Sequence, residues 1–177
     1  MASRMRALEF WKAIVADESD FLSTLVRLLA DHGVRYCVIG GQAVNAYVEP
    51  LVSLDLDVAV AADDLARAEA ILAGSFPVER FAHSLNVAQP GSDLRVQVQL
   101  DPRYQPFVAR AELRDVLGLR LPVAAVGDVL RGKVWAALDP DRRPSKRQKD
   151  LADISRLLER FSDLRSQVPP EILGRLL

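Results

Sequence analysis

The chain has 177 residues and a formal net charge of −1, with 50% of residues hydrophobic and 27% charged. That is the composition of a soluble globular domain, and a chain of this length can bury about 70% of the surface it exposes when unfolded. A balanced charge gives no global argument for nucleic-acid binding, and one cysteine, Cys37, excludes a disulfide framework and a zinc set.

Cys37 lies in an apolar run and reads as a small core residue in a reducing compartment. No apolar run approaches the ~20 residues needed to cross a bilayer. Residues 1–6 lack the pattern of a secretory leader, so a cytoplasmic protein without a membrane partner is expected.

Residues 1–16 carry an apolar patch of Leu8, Phe10, Trp11, Ile14 and Val15, suited to a helix packed on the body or to an arm that orders on a partner. Residues 17–32 read as a helix. Asp17 can cap it, Glu18 and Asp20 suit its first turn, and Phe21, Leu22, Leu25, Leu28 and Leu29 recur on one face. Gly33 is placed to end it in the left-handed conformation. Residues 34–39 are near-continuously apolar, as in a central strand covered on both faces.

Gly40 and Gly41 follow, then a helix-like segment over 42–47. Glycine lets the backbone turn sharply and approach a ligand, and a helix start favours anions. Asp55 and Asp57 lie two apart on the next strand, so their carboxylates share a face, while Leu54, Leu56 and Val58 point the other way. Two such carboxylates repel unless a cation offsets them, and Mg²⁺ is usually held by one or two carboxylates plus substrate phosphates. A glycine turn beside an Asp-x-Asp strand therefore suggests a site for a metal-bound nucleoside triphosphate.

Asp63 or Asp64 is expected to cap a further helix, with Leu65, Ala68, Ala70, Ile71 and Leu72 inward and Gly74 at its end. Residues 78–81 and 85–89 read as short strands, and 90–93 as a turn. Residues 94–100 alternate strictly, with Arg95, Gln97 and Gln99 on the polar face. Residues 101–105 form a polar, aromatic loop. Arg103 could contact a triphosphate there and Tyr104 could stack on a base, or the segment is a surface turn with Tyr104 half-buried. Residues 107–111 suggest a short helix, and 116–123 hold the last strand signal.

Residues 127–138 read as a helix capped by Asp128, with Lys133 set among apolar neighbours. Residues 139–150 read as a loop with five bases, Arg142, Arg143, Lys146, Arg147 and Lys149, either a solvated face or a phosphate-binding loop for NTP or RNA. The last long helix is expected near Ser145 as its cap, burying Leu151, Ile154, Leu157, Leu158 and Phe161, with Asp150 and Asp153 on one face. A short terminal helix is expected within 169–177.

The order of apolar strand, Gly40-Gly41, short helix and Ser53-Leu54-Asp55-Leu56-Asp57 strand resembles the polymerase-β-type nucleotidyltransferase superfamily. Lys133 and the string Lys149-Asp150-Leu151-Ala152-Asp153-Ile154 narrow the likeness to the small bacterial AbiEii-like, toxin-like branch, over residues 34–160. The resemblance implies an α/β (α+β) fold, a mixed central β-sheet flanked by helices, with a core over 17–125 and a helical part over 126–177 in one compact domain.

It also implies an Mg²⁺-dependent enzyme moving an NMP from an NTP to an RNA (such as a tRNA end) or protein acceptor, with a cognate antitoxin as a further partner and a monomer or homodimer as its state. By that likeness Asp55 and Asp57 hold the metal. Gly40, Gly41, Ser53, Arg103, Arg142, Arg143 and Lys146 contact the nucleotide. Lys133 binds phosphate or stabilises developing charge, and Asp150 activates the acceptor hydroxyl or partners Lys133.

One position departs from the superfamily pattern. The third carboxylate expected on strand 94–100 is Gln97, which cannot bridge a second ion. Asp101 has the right parity to substitute, or it starts a turn before Pro102. The alternative is a catalytically weak or inactive module of the same fold that binds nucleotide, RNA or a partner protein.

Overall fold

The computed structural model describes residues 20–176. The apolar segment 1–16 and the expected cap Asp17 lie outside the described residues.

A seven-stranded mixed sheet forms the centre, in the order β3-β4-β5-β2-β1-β7-β6. Its strands are β1 Tyr36–Ile39, β2 Asp55–Val60, β3 Val78–Arg80, β4 Ser84–Val87, β5 Arg95–Gln99, β6 Glu112–Val116 and β7 Leu119–Val123. β1 runs antiparallel to β2, whereas β2 with β5 and β1 with β7 are parallel pairs. All four residues of β1 are buried, which is why its sequence is continuously apolar rather than alternating. β5 buries Val96 and Val98 and turns Arg95 and Gln97 outward, as the alternation predicts.

The helices are α1 Phe21–Asp31, α2 Gly40–Asn45, α3 Leu65–Ser75, α4 Val126–Leu138, α5 Pro144–Arg160 and α6 Pro170–Leu173. α1 buries Phe21, Leu22, Leu25 and Leu29 and packs on α3, and the Phe21 ring meets Phe76 edge-on with centroids 5.2 Å apart. Gly33 ends α1 with φ of 62°, as expected. α2 packs on both α4 and α5, and α4 packs along α5, so three helices converge beside the carboxyl end of β1.

Several local expectations are corrected. Asp20 precedes α1 in a left-handed conformation and makes no capping bond, so no acid occupies the first turn. Asp63 and Asp64 lie in a 3₁₀ turn, Ala62–Asp64. Asp64 accepts from Arg35 N and Nε at 3.0 and 2.8 Å, which removes it from capping α3. α3 continues through Gly74 to Ser75.

The short helix expected over 107–111 is the end of a longer 3₁₀ segment, Pro102–Arg110, opened by Asp101, whose Oδ1 accepts from Arg103 N at 2.9 Å. Asp128 sits inside the first turn of α4, and its buried carboxylate joins Arg110 and Arg131 instead of capping. α5 starts at Pro144 without a side-chain cap, so Lys146, Arg147 and Lys149 are helical rather than looped. Arg143 is extended, as a residue before proline should be, and proline fits the first helical position.

The strand β6 is an addition to the expected set. It joins β7 through a two-residue turn, Leu117 and Gly118, both with positive φ.

The interface of α4 and α5 carries the packing of the C-terminal helices. Ile154 is fully buried there. Ile154→Ala is expected to cost about 2–5 kcal/mol, measured by urea denaturation followed by circular dichroism.

Candidate active site

β2 presents Asp55 and Asp57 on one face, at the half-open end of the sheet, while Leu56 and Val58 enter the core. The two neighbouring strands decide what meets them. On β1, Ile39 stands opposite Asp57 and Gly40 follows it with φ of 66°. A Cβ added to Gly40 would lie 2.3 Å from Asp57 Oδ2. Only glycine fits both the backbone conformation and the carboxylate. Gly41 has no such constraint, because nothing lies within 4 Å of a Cβ placed there.

On β5, Arg95 pairs in register with Asp55 and Gln97 with Asp57. Gln97 therefore occupies the position facing the deeper carboxylate. Arg95 Nε lies 2.7 Å from Asp55 Oδ1, and Lys146 Nζ reaches Asp55 Oδ2 at 3.6 Å from α5.

Asp57 lines a cleft of about 380 Å³ together with Gly40, Gln97, Lys133, Arg142 and Asp150. Burial pushes the Asp57 carboxyl above the usual carboxylate range, Lys133 pulls it back, and Asp55 adds to the rise. Lys133 is itself 7% exposed and lies 3.0 Å from Asp150 Oδ1 and 2.8 Å from Asp153 Oδ2. Burial would lower its pKa, but the two carboxylates outweigh burial and hold the ammonium above its ordinary value. Asp150 Oδ2 accepts from Arg142 Nε at 2.8 Å. Both oxygens of Asp150 are thus taken by cations, Lys133 and Arg142.

Asp153 extends the network. Arg156 Nη1 lies 2.8 Å from Asp153 Oδ1, and Arg156 also donates to Asn45 Oδ1 and the Glu49 carbonyl. Asn45 binds Leu51 through both its amide atoms, at 2.7 and 3.0 Å, and Gln42 Nε2 donates to the Ser53 carbonyl at 2.9 Å. The connection from α2 to β2 is therefore pinned at both ends. Ser53 Oγ accepts from Asp55 N at 3.3 Å, a local bond at the start of β2.

In the aromatic wall of the cleft Tyr104 is half-buried, as the turn alternative for this segment has it. Arg103 is engaged twice by Asp101 and covers the Trp135 ring with its guanidinium 4.8 Å from the centroid. Tyr104 packs edge-on against Phe107 and Trp135 rather than presenting a free face. A Cβ on Gly132 would meet the Tyr104 ring at 3.0 Å, which explains a glycine inside α4. Asp101 holds Arg103 and opens the 3₁₀ segment, the turn role of its two expectations. Arg143 is exposed and outside the cleft lining.

No known protein-family pattern and no curated protein matches the chain. Solved structures do. The antibiotic-resistance factor ANT(2'')-Ia aligns over 82% of this chain and 88% of its own, with a TM-score of 0.56 and 14% identity. The lincosamide antibiotic adenylyltransferase LnuA, bound to lincomycin, aligns over 78% and 95%, with a TM-score of 0.52 and 12% identity. An antigenic nucleotidyltransferase-like protein from Paracoccidioides brasiliensis aligns over 84% and 75%, with a TM-score of 0.52 and 17% identity.

The chain has the nucleotidyltransferase fold. Within that fold, the donor set can be tested for a cation. Among the described residues no group of three or more His, Cys, Asp and Glu side chains converges, so an all-protein cage is absent. Two carboxylates on one face, one of them buried and disfavoured as an anion, fit a single hard cation completed by phosphate oxygens. Gln97 offers a neutral amide where a second ion would need charge.

Arg156 and Trp135 are the parts of this nucleotidyltransferase-fold site that the sequence reading leaves out, whereas it places Asp153 on the face of Asp150 and gives Arg95 no role. The strict alternation of β5 already places Arg95 on the face of Gln97, so it was findable. Arg156 could be found only from its contacts. Among the described residues no helix is long and apolar enough to cross a membrane.

Two outcomes follow from these geometries. Lys133→Met leaves Asp150 and Asp153 buried without their shared cation and is expected to destabilise by about 3–5 kcal/mol in chemical denaturation. Asp57→Asn is expected to stabilise the protein in metal-free buffer at neutral pH. The folded-state pKa of Asp57 is raised, so its ionised form disfavours the fold. The gain over wild type is therefore full above the folded pKa and fades as pH falls through it towards the usual carboxylate range, as denaturation midpoints across that window will report.

Proposed function

We propose that the protein is a nucleotidyltransferase that moves a nucleoside monophosphate from an NTP to a hydroxyl acceptor. One observation carries this reading. The Asp57 carboxyl, buried against Gly40 and sharing a face with Asp55, needs a cation to be ionised, and it opens on a cleft that holds Lys133 and Arg142. The likeness of fold to LnuA and ANT(2'')-Ia supports it.

Asp55 and Asp57 would hold Mg²⁺, which when bound neutralises triphosphate charge and polarises the phosphorus under attack. The backbone at Gly40 lets the phosphates lie close to β1. Lys133 offsets part of the burial penalty on Asp57 and adds positive charge behind the phosphates, while Asp150 and Asp153 fix the ammonium in place. Arg142, set by Asp150, and Lys146 flank the triphosphate, and Arg143 extends the basic surface towards the acceptor.

The acceptor oxygen forms its bond to the α-phosphorus as the bond to pyrophosphate breaks, and the hydroxyl proton passes to solvent. Positioning and charge neutralisation supply most of the acceleration. Arg142 in the cleft and the exposed Arg143 next to it in the chain support an RNA acceptor.

A second reading is favoured by Gln97, which faces Asp57 where a charged group would assist a second ion. On that reading the cleft binds nucleotide without turnover.

The deciding experiment mixes purified protein, Mg²⁺ and each α-labelled NTP with cellular RNA, with protein extract, or with aminoglycoside and lincosamide antibiotics. Label is expected on RNA and is expected to fall to background with Asp57→Ala. Label on an antibiotic changes the acceptor. NTP binding without transfer in any arm supports the second reading.

A further inference from the structure

The two carboxylates of β2 are treated differently by the protein. Asp57 is the deep one, and among the described residues no ion pair reaches it. Asp55 is the shallow one, and each of its oxygens faces a cation: Arg95 Nε at 2.7 Å from Oδ1 and Lys146 Nζ at 3.6 Å from Oδ2. These cations come from opposite sides. Arg95 stands on β5, in register with Asp55, and Lys146 stands in the first turns of α5. Arg95 is well exposed, at 70% of the side chain, and Lys146 is partly exposed, at 43%, so neither is sealed in place.

The proposed metal ligand is thus already covered by two positive groups. A divalent cation approaching alone must displace them and then sit beside two positive charges. A cation arriving on a polyphosphate brings anions to which guanidinium and ammonium groups can transfer. Exposed ion pairs of this kind are weak and readily exchanged, which suits a contact that must open.

We propose that Arg95 and Lys146 form a clamp on Asp55 that polyphosphate releases. In the free protein they keep the bare divalent cation out. When the triphosphate of a metal-bound nucleotide enters, they leave Asp55 and bind its phosphate oxygens. Arg95 is thereby a polyphosphate-binding residue of the site. The inference rests on the nucleotidyl-transfer reading for the identity of the ligand, but its test does not depend on turnover.

The clamp makes two effects run in opposite directions. Removing Arg95 and Lys146 should improve binding of the bare cation and impair binding of the bare anion. Full-length protein would be titrated with Mn²⁺ alone, followed by the electron paramagnetic resonance signal of free Mn²⁺. It would be titrated separately with inorganic tripolyphosphate in chelator, followed by calorimetry. The variants are Arg95→Gln, Lys146→Gln and the pair together, with folding checked by circular dichroism. Lys149→Gln, a neighbouring exposed cation on the same helix, controls for a general charge effect.

The double variant is expected to bind Mn²⁺ about fivefold more tightly and tripolyphosphate about fivefold more weakly, while Lys149→Gln moves either by less than about twofold. Mn²⁺ affinity that is unchanged or weakened in the double variant overturns the clamp. So does an equal gain in Lys149→Gln, which would reflect net charge alone. Unchanged tripolyphosphate affinity overturns the role of Arg95 and Lys146 as phosphate ligands. Asp57→Asn separates the two levels of the argument. If it leaves Mn²⁺ affinity at the wild-type value, the cation is not at the carboxylate pair and the functional reading falls. If it weakens Mn²⁺ while the clamp variants do nothing, only the clamp falls.

Discussion

The structure depends on one buried cation. Lys133 lies within α4, almost sealed from solvent, and survives there as an ammonium because Asp150 and Asp153 approach it from α5. A lone buried charge costs several kcal/mol, so neither helix can shift without leaving one behind. Arg142 and Arg156 complete the set on the outer oxygens of the two aspartates. Arg156 then reaches across to Asn45 and the Glu49 carbonyl, beyond its own helix pair. Charge compensation in the C-terminal helices is in this way continuous with the loop that sets the start of β2.

That continuity assigns different work to neighbouring residues. Both oxygens of Asp150 are taken by cations, whereas among the described residues Asp57 has no ion-pair partner and is disfavoured as an anion. Gly40 meets the same carboxylate from β1, where any side chain would collide with it. The site is therefore built with tight tolerance at its deep end and loose, solvated groups at its shallow end. Gln97 is in register with Asp57 but exposed, so a neutral amide stands on the open side of the deep carboxylate where the expected acid would add charge.

The sequence makes the central strands and the shared face of Asp55 and Asp57 legible, because strand parity and apolar runs are local signals, and the fold class follows from the resemblance those motifs carry. The alternation of 94–100 also puts Gln97 on the polar face of its strand, and the resemblance to the superfamily implies that this face meets the aspartates. What stays hidden has long-range causes. Asp64 and Asp128 look like caps, but arginines distant in sequence claim their carboxylates. The pattern of β6 is obscured because Leu113 is exposed at the edge of the sheet and because Leu117 adopts a turn conformation uncommon for leucine. Arg103 and Tyr104 line the cleft, and the packing of both against Trp135, distant in sequence, could not be read from their own segment.

The sheet has parallel pairs at its heart, and this bears on how the chain reaches its final form. β2 pairs with β5, and β1 waits for β7, which emerges after most of the chain has been made. Val38 meets Val123 only when the intervening strands, helices and hairpin have been looped out. Closing such loops loses entropy before any contact is gained, so folding of this domain should be slow for its length. α5, which carries the last members of the ionic network, follows later still. A chain paused on the ribosome before α5 would hold Lys133 without its carboxylates, and an interrupted or truncated product would have no assembled cleft at all.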